Sequence, residues 1–313
     1  MIKTILAPLD GSELSERALP TAIRLAQAVG GRIVLVRAAW AAGLNDDSLE
    51  AQLNAVGEAE GYLDAAARRV ARHGVAVDAV VPYARPADAI LLETDLRRAD
   101  LVVMTTHGRS GLGRWVYGSV AEALIARSRV PVWLMRPDGP VEPAQPRARL
   151  LVPLDGSPFA EAVLPEAVEI ARALDWTVVL MQALSAGGAA SAASATDEPG
   201  QDGHDADEGA ADAQRYLAGV AAGVKAEGLR AQTMVRLGAP AAAILDEERA
   251  AGMGLIAMAT HGRTGLSRLL MGSVASSVLR RGGLPLLLAR PSTVKAQERK
   301  VDVSHPARPE ADR

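Results

Sequence analysis

The chain has no cysteine among its 313 residues. That excludes disulfides, thiolate chemistry and cysteine-based zinc sites, and it suits a reducing cytosol. Aromatic residues make up only 3%, against a hydrophobic fraction of 49%, so any core has to be aliphatic, built from Ala, Val, Leu and Ile. Neither sign of charge is in excess: 34 basic and 37 acidic residues leave a formal net charge of −3. No global field therefore draws the chain to nucleic acid. No uninterrupted apolar run approaches the ~18 residues of a membrane span. The opening MIKTILAPLDGS holds one lysine and an apolar stretch too short for a signal peptide, so the expectation is a cytoplasmic protein with no membrane or nucleic-acid partner.

What the chain does have is a repeat. LAPLDGSELSERALP from Leu6 is answered by LVPLDGSPFAEAVLP from Leu151, 145 residues later. THGRSGLGRWVYGSVA from Thr106 is answered by THGRTGLSRLLMGSVA from Thr260, 154 residues later. Between Thr106–Pro137 and Thr260–Pro291, 16 of 32 positions are identical without a gap. Length and repeat together imply two domains related by duplication, expected over 1–139 and 148–291 with a proline-rich linker at 140–147. The two offsets differ because the second copy carries an insertion. Its place is residues 185–209, small, polar and acidic, which reads as a mobile loop. Residues 292–313 are charged and proline-containing and read as a disordered tail.

Each copy alternates aliphatic runs with amphipathic stretches. Strands are expected at Thr4–Leu9, Arg32–Ala39, Val75–Val81, Leu101–Thr105 and Val130–Met135, and again near Leu150–Pro153, Thr177–Ala183, Arg230–Val235, Leu255–Ala259 and Leu284–Ala289. Helices are expected from Ser12 to about Val29, from Ser48 to His73, over Pro86–Arg97, and from about Ser119 to Arg127. Continuous aliphatic strands separated by helices indicate a parallel sheet covered on both faces. Right-handed crossovers make it doubly wound, an α/β Rossmann-like fold.

Ligands of such sheets sit beyond the carboxyl ends of the strands, where the winding reverses. Both repeated motifs lie at such ends. Asp10 and Asp155 follow the first strand of each copy, placed to accept from a ribose hydroxyl, and the glycine loops follow the fourth. Those loops contain no lysine and match no Walker pattern. Gly118-Ser119 and Gly272-Ser273 instead lead into helices, whose first N–H groups and positive end favour an anion. Gly108 and Gly262 would supply the opposite wall, and Arg109, Arg114, Arg263 and Arg268 stand nearby. A Gly-Ser before a helix is also an ordinary cap, and Asp-Gly-Ser after a strand is ordinary turn chemistry; it is their joint appearance, twice, that points to a nucleotide. His107 and His261 have no second ligand at metal spacing and read as structural loop residues. The absence of a glycine cluster in the first βα turn argues against a dinucleotide dehydrogenase.

With these residues the chain resembles the universal stress protein family in a tandem two-domain form. The carrying motif is Gly108 with Gly118-Ser119, and Gly262 with Gly272-Ser273. The resemblance implies five-stranded parallel sheets of order 3-2-1-4-5, ribose contacts from Asp10 and Asp155, and backbone phosphate contacts from Val120 and Val274. It implies ATP as ligand, with Mg²⁺ carried by the nucleotide. It also implies pairing of the two domains through their last strands, an intrachain pseudo-dimer from which two chains could assemble further. Thr105 and Ala259 stand where the family signature has its first glycine. A side chain there crowds the backbone's approach to phosphate, threonine more than alanine, which ranks the second site above the first.

Three functions follow. The first is a stress-response protein that binds adenine nucleotide and acts as a sensor or regulator. The second is a module that binds no nucleotide and works by pairing, since the last strands are apolar edges. The third is a slow nucleotide hydrolase; with no evident general base or metal cluster, any ATP hydrolysis is expected to be slow.

Overall fold

A computed structural model of the protein describes residues 1–40, 49–106, 118–140, 147–185, 202–250, 252–260 and 271–290. Within them the first half runs β1 (Thr4–Pro8), α1 (Glu13–Glu16), α2 (Leu19–Val29), β2 (Arg32–Val36), α3 (Leu49–Ala71), β3 (Ala76–Val80), α4 (Pro86–Leu96), β4 (Leu101–Thr105), α5 (Ser119–Arg127) and β5 (Val132–Met135). The second half repeats the series: β6 (Arg149–Leu154), α6 (Pro158–Glu161), α7 (Leu164–Leu174), β7 (Thr177–Leu184), α8 (Asp202–Ala226), β8 (Ala231–Leu237), α9 (Pro240–Glu247), β9 (Met253–Ala259), α10 (Ser273–Arg281) and β10 (Leu286–Ala289).

The strand order is β3-β2-β1-β4-β5-β10-β9-β6-β7-β8. Each half is therefore parallel with internal order 3-2-1-4-5, as expected. The two five-stranded sheets meet at their last strands, where pairing was expected: β5 and β10 pair antiparallel, Leu286 opposite Leu134 and Leu287 opposite Trp133, and make one ten-stranded sheet. Side chains alternate along each strand. On β1, Ile5 and Ala7 face the core under α2, α3, α7 and α8, while Leu6 faces the other core, under α4, α5, α9 and α10. Both cores run unbroken across the β5–β10 seam and are almost wholly aliphatic. The large exceptions, Trp133 and Trp176, meet near the seam with ring centroids 6.5 Å apart and planes tilted by 56°, and the Arg24 guanidinium lies 5.2 Å from the Trp176 ring centroid.

Two expectations from sequence are corrected. The helix expected from Ser12 to Val29 is two helices. Pro20 lacks the N–H that would bond the Glu16 carbonyl, and its ring would strike that carbonyl, so α1 stops at Glu16 and α2 starts afresh. Pro165 and Glu161 repeat the break between α6 and α7. The loop expected over 185–209 ends earlier, because α8 begins at Asp202. The same polar, alanine-rich residues that cannot build a core still have adequate helix propensity once a packed helix follows them. Residues 186–201, the linker interior 141–146 and the tail lie outside the described residues.

Candidate functional site

β1 and β4 are hydrogen-bonded neighbours, Ile5 opposite Leu101 and Leu6 opposite Val102, so the turn after β1 and the loop after β4 meet at one end of the sheet. After β1, the Asp10 Oδ1 accepts from the Ser12 amide at 2.9 Å and from its hydroxyl at 2.6 Å. The Ser12 hydroxyl oxygen in turn accepts from the Ser15 amide at 3.1 Å and caps α1. Gly11, at φ +87°, makes the turn possible. The second half repeats the device: Asp155 Oδ1 accepts from the Ser157 amide at 2.9 Å and its hydroxyl at 2.5 Å, and Ser157 caps α6. The turn-and-cap role of both aspartates is thus fully formed, and it holds each carboxylate rigidly at the strand end.

Beyond β4, the Thr106 carbonyl accepts from the Gly118 amide at 3.0 Å, closing the base of the glycine loop. In the second half Thr260 and Gly272 do the same at 2.7 Å. Gly118 and Gly272 are the N-caps of α5 and α10 and, as glycines, bring no side-chain acceptor of their own. A glycine cap leaves the first-turn amides to some other acceptor. His107, Gly108, Arg109, Arg114, His261, Gly262, Arg263 and Arg268 lie outside the described residues.

These segments enclose a cavity of about 490 Å³ in the first half. Asp10, Gly118, Ser119 and Val120 all line it. Thr105 lines it too and is buried; the space persists with the threonine side chain in place, so that residue does not fill the crevice. Apolar walls come from Val36, Ile90 and Met104, and polar edges from Arg37 and Glu58. The matching second-half residues, Asp155, Gly272, Ser273 and Val274, occupy equivalent places at the ends of β6 and α10.

Residues the motifs did not single out complete the site. Arg37 follows β2, and its guanidinium carbon would lie 3.4 Å from a Cβ built on Gly11 and lies 4.9 Å from the Tyr62 ring centroid. The Tyr62 hydroxyl donates to Glu16 at 2.8 Å, and Arg69 pairs with the same carboxylate at 2.7 Å. Burial, and then the bond to Glu16, push the Tyr62 hydroxyl well above its ordinary range, so it stays a protonated donor. Tyr216 and Glu161 repeat this pair at 2.8 Å, with the same rise for the same causes. Trp40, just past β2, also lines the cavity. The available signal for Arg37 and Trp40 was position alone: β2 ends at the same edge of the sheet as β1. Among the described residues no three His, Asp or Glu side chains group as a metal site, and no helix is long and apolar enough to cross a membrane.

The fold and this crevice define a duplicated, doubly wound α/β protein with its candidate site at the switch point of the sheet. The sequence pattern of the universal stress protein family matches residues 1–136 and again 146–290, and the chain belongs to that family. A universal stress protein of Mycobacterium tuberculosis is 29% identical over 196 residues, which cover 62% of this chain and 63% of that protein. A universal stress protein of Thermus aquaticus is 36% identical over 139 residues, 44% of this chain and 100% of its own length. The crystal structure of a universal stress protein from Archaeoglobus fulgidus superposes with a TM-score of 0.72 at 21% identity, covering 92% of this chain and 98% of that one; the two share a fold.

Proposed function

We propose that the protein binds an adenine nucleotide, ATP with Mg²⁺ carried on it, in the first-half crevice and acts as a nucleotide-dependent stress-response regulator in the cytoplasm. The observation that carries this reading is the convergence of Asp10, Gly118, Ser119 and Val120 on one cavity of about 490 Å³, within the size range of small-molecule sites. The glycine-capped first turn of α5 and the Ser119 hydroxyl would take the phosphates, with Gly108 on the far side. The Asp10 carboxylate would take the ribose. Mg²⁺ keeps several of its waters and is usually held by one or two carboxylates together with substrate phosphates, which favours delivery of the metal on the nucleotide. The repeat extends the same roles to Asp155, Gly262, Gly272, Ser273 and Val274; the first-half cavity stays open with the Thr105 side chain in place, which removes the objection to that site drawn from Thr105. In this reading 1–139 and 148–291 are the functional units, joined by 140–147, and they act as an intrachain pseudo-dimer about the β5–β10 seam. That seam engages inside the chain the apolar edges on which a pure pairing module would depend, which weakens the competing reading.

Protein purified without added nucleotide should release nucleotide on denaturation or, if emptied, bind added ATP in a calorimetric titration. Gly118 sits at φ −59° and ψ 141°, open to any residue, so Gly118→Asp places a carboxylate against the phosphates without backbone strain. It should abolish ATP binding in the first half, while Gly272→Asp should leave that binding intact. No heat up to millimolar ATP would overturn the proposal.

A further inference from the structure

Trp40 differs from the tryptophans of the core. It lines the cavity yet remains 42% exposed, whereas the seam tryptophans Trp133 and Trp176 are 2% and 1% exposed. It is nonetheless held. The Tyr83 ring lies 5.9 Å away at 47°, and the Arg85 guanidinium carbon lies 5.9 Å from the indole centroid. Neither Tyr83 nor Arg85 lines the cavity; they brace the indole from outside it. The repeat places Ser185, Leu237 and Ala239 at the corresponding positions of the second half, where no such brace can form.

One cavity thus joins a supported aromatic plane to the glycine-capped start of α5. A ligand that satisfies both has a flat π-face joined to an anion. A nucleotide meets that description, and a purine overlaps an indole over a larger area than a pyrimidine does. Resting on the nucleotide reading above, the geometry points to Trp40, braced by Tyr83 and Arg85, as a base-stacking wall that makes the first half the purine-selective site of this chain. The second half, with a serine in place of the indole, has no counterpart.

The full chain is titrated calorimetrically with ATP, CTP and inorganic tripolyphosphate, as wild type, Trp40→Ala and Trp40→Phe. Wild type should prefer ATP to CTP. Trp40→Ala should weaken ATP about tenfold, the loss expected of one base–aromatic stack, collapse the preference over CTP, and leave tripolyphosphate binding unchanged. Trp40→Phe should retain most of the affinity. A wild type that binds ATP and CTP equally would overturn the wall, as would a folded Trp40→Ala variant that binds ATP undiminished; both results leave the nucleotide proposal standing. A wild type that binds no ATP at all removes both. Should the alanine variant fail to fold, the purine preference of wild type and the phenylalanine variant decide the matter.

Discussion

At the scale of single residues, the repeated Asp-Gly-Ser turn does two jobs with one set of bonds. Ser12 caps α1 through the Ser15 amide and at the same time donates to Asp10; Ser157 does so for α6 and Asp155. Removing either hydroxyl should destabilise the fold by about 1 kcal/mol, the usual loss for an N-cap serine. Urea unfolding of Ser12→Ala and Ser157→Ala checks this, and near-equal losses are expected because the two turns have the same geometry. The tyrosines tell the same story. Tyr62 and Tyr216 each donate to the glutamate at the end of the short first helix, Glu16 or Glu161. Each fixes the outer edge of the strand-end turn from α3 or α8.

At the scale of elements, α5 and α10 matter most, because their N-termini face the candidate sites. Their C-termini are held by the opposite half. Arg136, just after β5, donates across the seam to the carbonyls of Gly282 at 3.1 Å and Arg280 at 3.3 Å, at the end of α10. Arg290, just after β10, donates to the Ala126 carbonyl near the end of α5. A cation at a helix C-terminus satisfies orphan carbonyls and complements the dipole. Arg136→Ala and Arg290→Ala should each cost about 1 kcal/mol of stability, measured by denaturant unfolding. Both carbonyls are met by one guanidinium nitrogen, Nη1, while Nε and Nη2 are fixed on the Asp138 carboxylate. Arg136→Lys should recover only part, since a single ammonium cannot hold the carboxylate as a planar fork does and meet the carbonyls as well.

At the scale of the whole molecule, the seam contains a pH-sensitive contact that the first half lacks. The Glu248 carboxylate, at the end of α9, accepts from the Gly283 amide at 3.0 and 3.3 Å. Gly282 beside it leaves no room for a side chain, since an added Cβ would lie 2.8 Å from Glu248 Oε2 and 2.7 Å from the Val278 carbonyl oxygen. Burial raises the Glu248 carboxyl above its ordinary value of 4.5, against the lowering effect of the Gly283 and Leu284 amides and of Arg249 and Arg136. The folded protein then holds this proton more tightly than the unfolded chain. Its contribution to stability is fullest below the ordinary value and is lost as pH rises through the folded one. Glu248→Gln keeps an acceptor for Gly283 but does not titrate. Relative to wild type, the variant should therefore gain stability as pH rises from about 4 toward neutrality; a difference that stays flat across that range would refute the assignment.

Much of this molecule is written locally. Aliphatic runs such as Arg32–Val36, interrupted by Pro20, Gly30 and the serine caps, specify strands and helices from contacts a few residues apart, and the duplicated motifs place the candidate aspartates and glycine-capped helices at strand ends. What the sequence could not decide alone depends on meetings of distant segments. The two sheets become one because the short apolar edges of β5 and β10 cover each other. The family resemblance implied pairing through the last strands, but the register of that seam, Leu286 opposite Leu134, is set only when the two halves meet. Likewise the cavity is shaped by the ends of β1, β2 and β4, the start of α5 and the flank of α3. Whether Thr105 closes it and whether Trp40 faces it are questions of packing, settled by neighbours tens of residues away.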